Sequence, residues 1–194
     1  DINENQKAVS KTLRVTLNSV MLWDSPNYNA QREAMRSVIA QKFGEEPTSA
    51  LLGRVVIGED EKTPTKCITI EAIQQALKKC HFLSTFSKNN IIITDGNFEL
   101  GDNQATVDLL YNFLEECFKI IKFNCEVEWL FGEQGILTIN RGIQAVIRVI
   151  DDIVIHLIKQ EKIKPKTQSI EVIIDEVEYY LEPLISYINS VDEA

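Results

Sequence analysis

The stretch INRGIQAVIRVIDDIVIHLIK, residues 139–159, decides how this chain folds. Ile143, Val146, Ile147, Ile150, Ile153, Val154, Leu157 and Ile158 cover most of a helical circumference. Arg141, Gln144, Arg148, Asp151, Asp152 and Lys159 form a narrow polar stripe. A helix with so wide an apolar face belongs in the middle of a bundle. At about 1.5–3 kcal/mol for each fully buried side chain, such a face is enough to organise a core around it.

Other helices follow from the same period. Val9, Leu13, Leu17 and Val20 mark one face of a first helix, stopped by Ser25-Pro26-Asn27. A second runs from about Asn27 or Asn29 to Phe43, with Met35, Val38, Ile39 and Phe43 inward and Arg32, Glu33, Arg36 and Lys42 outward. Thr69 opens a third, which ends near His81–Leu83. A long one reaches from Asp102 or Asn103 to about Lys122, its core face being Val107, Leu110, Phe113, Leu114, Cys117, Phe118 and Ile121. After a break at Gly132 and Gly135 comes the apolar helix, then a linker from Ile163 to Thr167. A last helix to about Ser190 carries Pro183, which should kink or divide it. Arg54–Ile57 reads as a short strand and 58–66 as an exposed loop. Asp95-Gly96 is a hairpin signal inside Ile91–Leu100, although a helix cap follows so closely that a simple turn is the alternative. The expected fold is therefore mainly α, a bundle of five or six helices around the helix at 139–159 with a minor β element, in one domain spanning 1–194.

Composition narrows the function. The chain has 194 residues, 44% of them hydrophobic and 25% charged, which are globular values. Twenty Lys and Arg against 29 Asp and Glu give a net charge of −9, so the surface taken whole is a poor match for nucleic acid. Direct DNA binding is not expected on that ground, although a local basic patch is compatible with it. Cys67, Cys80, Cys117 and Cys125 include no C-x-x-C pair, which points to buried thiols in a reducing compartment and away from zinc. There is no signal-peptide pattern and no long uncharged run, so a cytoplasmic protein without membrane contact is expected.

Candidate chemistry is sparse. Asp152 and His156 stand four apart, a spacing that suits a structural contact better than a metal, since the chain has two histidines. Glu115-Glu116 and Asp151-Asp152 can each turn at most one carboxylate inward, and solvated surface is their expected state. Asn140 or Thr138 is a candidate N-cap. Arg141 then sits in a first turn where an anion is preferred, and it calls for either an acidic neighbour or an anionic ligand. Trp23, Tyr28, Gln31, Arg32 and Arg36 form an aromatic and basic cluster able to stack a base or hold a phosphate, or simply to pack. No phosphate loop, nucleophile elbow or cofactor fingerprint is present, so no catalytic residue, cofactor or metal is assigned.

Asp1-Ile-Asn-x-x-Gln6, with Lys7-x-Val-Ser-Lys-x-Leu13, resembles the stretch that follows the ParB-like part of DGQHR-domain proteins, where a strand ending in Asp-Ile-Asn leads into a helix. Asp24-Ser25-Pro26, Ile136-Leu-Thr-Ile-Asn-Arg-Gly142 and Tyr180-Leu-Glu-Pro-Leu184 extend the similarity over nearly the whole chain in short motifs. The resemblance implies a bacterial protein linked to DNA modification or restriction, or to its control, as is the regulatory protein B of DNA phosphorothioation systems. The defining Asp-Gly-Gln-His-Arg motif is absent, since Asp95-Gly96 continues with Asn97-Phe98. The opening without methionine is accordingly read as the C-terminal helical part of a longer protein, whose ParB-like module lies upstream.

By this resemblance Asn3 and Gln6 at the junction, and Asn140 and Arg141 before the apolar helix, are the carried-over ligand or domain-contact positions; Arg32 joins them from the cluster above. Three functions are then open. The first is a non-catalytic helical domain acting through protein contacts, with a homo-oligomer or another protein as partner. The second is part of a ParB-like enzyme acting on nucleotides or nucleic acid, to which Arg141 or Arg32 contributes. The third is a helical interaction protein with no DNA role.

Overall fold

The structure is a computed structural model that describes residues 17, 19–58 and 60–192. It is mainly α with two small β pieces. The helices are α1 (Tyr28–Glu45), α2 (Ile70–Lys78), α3 (Asn103–Asn124), the short α4 (Glu126–Phe131), α5 (Asn140–Lys159) and α6 (Ile170–Asp192). β1 (Val55–Val56) pairs in parallel with β2 (Ile68–Thr69), and β3 (Thr85–Phe86) pairs antiparallel with β4 (Ile92–Thr94).

The five longer helices close into a ring. α2 packs between α1 and α5, α1 packs on α3, α3 on α6, and α6 returns to α5. Inside lie the faces that the 3.6-residue period marks: Met35, Ile39 and Phe43 of α1, Ile73 and Leu77 of α2, and the whole expected core face of α3. A cluster of Phe82, Phe98 and Phe113 fills the centre, with ring centroids of Phe98 and Phe113 4.7 Å apart.

In α5, Ile143, Val146, Ile147, Ile150, Ile153, Val154 and Leu157 are buried, while Arg141, Arg148, Asp152 and Lys159 stay at the surface. The helix is thus a stave whose inner face organises the core. Its polar stripe faces water along its length. Asp151 leaves that stripe for the interior.

Local signals explain the ends. Asn27, Thr69 and Asp102 cap α1, α2 and α3 by accepting from Ala30, Ala72 and Ala105 N–H. α5 departs from expectation. Its N-cap is Ile139, without a side-chain bond, because Thr138 is turned inward onto the Trp129 carbonyl and Asn140 is occupied elsewhere. Helix α6 runs through Pro183 without division.

The hairpin sits one step earlier than Asp95-Gly96 suggests. Its turn is Ser87–Ile91, where Asn90 adopts a left-handed φ of 58°. Gly96 serves close approach instead, since a Cβ there would overlap the backbone of Leu83 and Ser84. In the first expected helix, residues 19–22 are helical, but Leu17 and Val20 are exposed and not core. Val9 and Leu13, like Asn3 and Gln6, lie outside the described residues. Among the described residues no helix is long and apolar enough to cross a membrane.

Gly142 lets the start of α5 pass against the preceding loop, because a Cβ there would overlap the carbonyl oxygens of Ile136 and Leu137. Gly142→Ala should therefore destabilise the fold by about 1–3 kcal/mol, the usual range for overpacking. Urea denaturation checks it, and an unchanged midpoint would show that this approach is not close.

Candidate functional site

Arg32 is expected to point outward, yet it is buried. Its guanidinium pairs with Glu99, donates to Gln31 Oε1 at 3.0 Å and lies over the Phe86 ring, 4.9 Å from its centroid. Sequence periodicity misses this because Glu99 is 67 residues away in the chain. Trp23, Tyr28, Gln31 and Arg32 do share a cavity, and its wall includes Asp24 and Asp102. With its one arginine already neutralised and two carboxylates on the wall, that cavity is poorly suited to an anion. Arg36 does not join it.

Three buried acids and the half-buried Glu99 have structural duties. Asp151 accepts from His81 N–H at 2.9 Å and lies 2.9 Å from His81 Nδ1. Glu115 accepts from Ala50 N–H at 2.7 Å and Ser49 Oγ at 3.2 Å. Glu128 accepts from Ile136 and Leu137 N–H, and Glu99 accepts from Ser84 N–H as well as from Arg32. Each thereby satisfies loop amides that would otherwise be buried without partners.

One member of each adjacent acidic pair turns inward, Glu115 and Asp151, and neither is solvated surface as expected. The histidine–aspartate contact is between His81 and Asp151; Asp152 is exposed, and His156 lies beside the Tyr180 ring.

Cys80 neighbours that pair in sequence, but its thiol is buried and donates to the Ala76 carbonyl at 3.2 Å. Burial, reinforced by the charge of Asp151, pushes its pKa up to about 12, so Cys80, His81 and Asp151 do not make a thiolate nucleophile. Cys117 and Cys125 are buried as well, Cys67 is half-buried, and no disulfide joins the four cysteines. Among the described residues no group of three or more His, Cys, Asp or Glu side chains could hold a metal.

Three cations, Lys79, Arg141 and Arg148, meet on one side of the ring. Asn140 Oδ1 accepts from Thr69 N–H at 2.8 Å, and Gln144 Nε2 donates to the Ala72 carbonyl at 3.2 Å, so α2 and α5 run parallel and in register. Asn140 is therefore a clamp between elements. The clamp sets Arg141 beside α2, where Gln75, Lys79, Arg141, Gln144 and Arg148 line a groove of about 180 Å³ that contains no carboxylate. Arg141, Arg148 and Lys79 are exposed, and among the described residues none of their side chains makes an ion pair or hydrogen bond. Among the described residues the acidic neighbour expected for Arg141 is not found.

Across α2, a second cavity of about 200 Å³ is lined by Arg36, Ser37, Gln74, Gln75 and Lys78, with Glu33 on its rim. Arg36 is only 6% exposed, and among the described residues it has no hydrogen bond or ion pair; its Nε is buried and unsatisfied. Desolvation pulls its pKa below the ordinary value, partly offset by the charge of Glu33. Helical periodicity presents Arg36 outward; instead, the side chain lies against α2. Gln75 belongs to both cavities, which makes them neighbours on one face.

Asp151→Ala would strand the His81 N–H and should cost about 1–3 kcal/mol in urea unfolding, with Asp151→Asn, which keeps an acceptor, costing less; equal costs would remove the hydrogen-bond explanation. Burial raises the Glu115 carboxyl above its ordinary 4.5. The folded state then holds that proton to higher pH than the unfolded chain, so this group's contribution falls as pH rises from about 4.5 through the raised value. Measured from acid to neutral pH, the stability of wild type relative to Glu115→Gln should therefore decline, and a constant difference would contradict the raised pKa.

No family model, curated protein or solved structure matches the chain, so the function has to be argued from this surface and from the motifs in the sequence.

Proposed function

We propose that the chain is a non-catalytic helical domain of a DGQHR-family protein, serving DNA modification or restriction, or its regulation, through protein–protein contacts. The observation that supports contact-making is an apolar row where α3 passes into α4. Phe123, Val127, Leu130 and Phe131 are 86, 58, 62 and 47% exposed. Four large apolar side chains within residues 123–131 hold a patch open to water that a self-contained body would cover. A ParB-like module is the partner to which the sequence resemblance points.

A second reading draws on Arg141, exposed and unpaired in the α2–α5 groove. In it the chain belongs to a ParB-like enzyme acting on nucleotides or nucleic acid, and Arg141 reaches the ligand. Mononucleotides separate the two readings, since ATP should leave the melting temperature of the domain unchanged under the first and raise it under the second.

The contact reading is tested by co-expressing the chain with a ParB-like module bearing the Asp-Gly-Gln-His-Arg motif and measuring mass by light scattering after gel filtration. A stable complex is expected, and Phe123→Asp/Leu130→Asp should abolish it. Because both side chains are exposed, these substitutions should change stability by only about 0.5 kcal/mol or less. No complex, or one indifferent to the double variant, would refute the assignment.

A further inference from the structure

The face formed by α1, α2 and α5 gathers Arg36, Lys78, Lys79, Arg141 and Arg148 on a protein of net charge −9, and the one carboxylate lining its two cavities, Glu33, is 3.6 Å from Lys78 Nζ. Lys78 and Lys79 lie at the C-terminal end of α2, where a cation is favoured by the helix dipole, and need no ligand to explain them. Arg141 is different, because it stands in the first turn of α5 with no acidic residue in that turn. Its position costs dipole energy, and among the described residues no ion pair offsets it. Arg148 is two helical turns further on the same exposed stripe, about 10 Å along the axis at 1.5 Å per residue. The buried, unpartnered Arg36 adds a third arginine on the far side of Gln75.

The shape of the site selects among anions. Neither cavity has an aromatic residue in its wall, so there is nothing to stack a base. Neither is a deep apolar pocket of the kind that encloses a nucleotide. Arg141 and Arg148 instead follow one another along α5, with Lys79 in the same groove and Arg36 in the neighbouring cavity. Phosphates of one DNA strand rise about 3.4 Å per base pair, so 10 Å along α5 spans about three of them.

We propose that the α1–α2–α5 face binds the phosphodiester backbone of duplex DNA without reading its sequence, with Arg141, Arg148 and Lys79 on the strand and Arg36 supporting them from its cavity. This site is distinct from the apolar row at α3–α4 and does not depend on the family assignment. The net charge of the whole chain, which argues against DNA contact, describes the other faces and not this one.

The test is fluorescence anisotropy with a labelled 20-base-pair duplex at several salt concentrations. Binding at 50 mM salt is expected, weakening steeply as salt rises. Arg141→Gln/Arg148→Gln should weaken binding roughly tenfold and make the plot of log K against log salt shallower by about 0.9 for each phosphate that the variant no longer neutralises. Arg36→Gln should reduce affinity further. Lys122→Gln/Lys164→Gln removes the same charge at exposed positions outside the face and should leave binding nearly unchanged. The proposal is overturned by absence of binding at 50 mM salt, or by equal weakening in the two double variants. Displacement by ATP or by poly-glutamate at matched charge would also overturn it, the first assigning the face to a mononucleotide and the second to an acidic protein.

Discussion

The apolar face of α5 is where the ring of helices closes, and the rest of the structure follows from its need for cover. Seven buried aliphatic side chains, from Ile143 to Leu157, must be enclosed on two sides, and α2 and α6 supply those sides. At about 1.5–3 kcal/mol each, their burial outweighs any single polar contact in the molecule. Once α2 is drawn onto α5, Asn140 and Gln144 lock the pair in register through Thr69 and Ala72. The same packing turns Arg141 and Arg148 outward beside Lys79. Core formation and the cationic groove are thus two faces of one helix.

Polar groups in the interior extend this logic. The ring leaves loops pressed against helices, and their amides need acceptors away from water. Glu99, Glu115, Glu128 and Asp151 supply them, each reaching a loop that precedes or follows a helix. A carboxylate accepting from backbone amides tolerates burial better than an isolated charge, which accounts for acids inside the bundle. Arg36 differs from these acids. Its Nε is buried without a hydrogen-bond partner, and its side chain lines the cavity beside α2.

Much of the fold is legible in the sequence because it rests on near neighbours along the chain. The core face of α3, the Thr69 and Asp102 caps and the wide apolar face of α5 all follow from spacing within a few turns. What escapes depends on residues far apart in the chain. Arg32 and Arg36 read as outward cations, but the first finds Glu99 and the second is pressed against α2. Asp151 reads as part of the polar stripe, but His81, 70 residues earlier, draws it inside. The short α4 escapes because its six residues are too few to show a period. Of the candidate site positions, Arg141 is legible through its conflict with the helix dipole. Its companions Arg148 and Lys79 are not, since only the packing of α2 on α5 brings them together.

Native-state hydrogen exchange tests the central claim directly. If burial of the α5 face closes the ring, the backbone amides of residues 146–157 should be among the slowest to exchange, opening only with global unfolding, and those of α2 should follow. Exchange of the α5 amides at the rate of the exposed residues 60–65, while α3 remains protected, would show that the ring stands without α5 and would contradict the account.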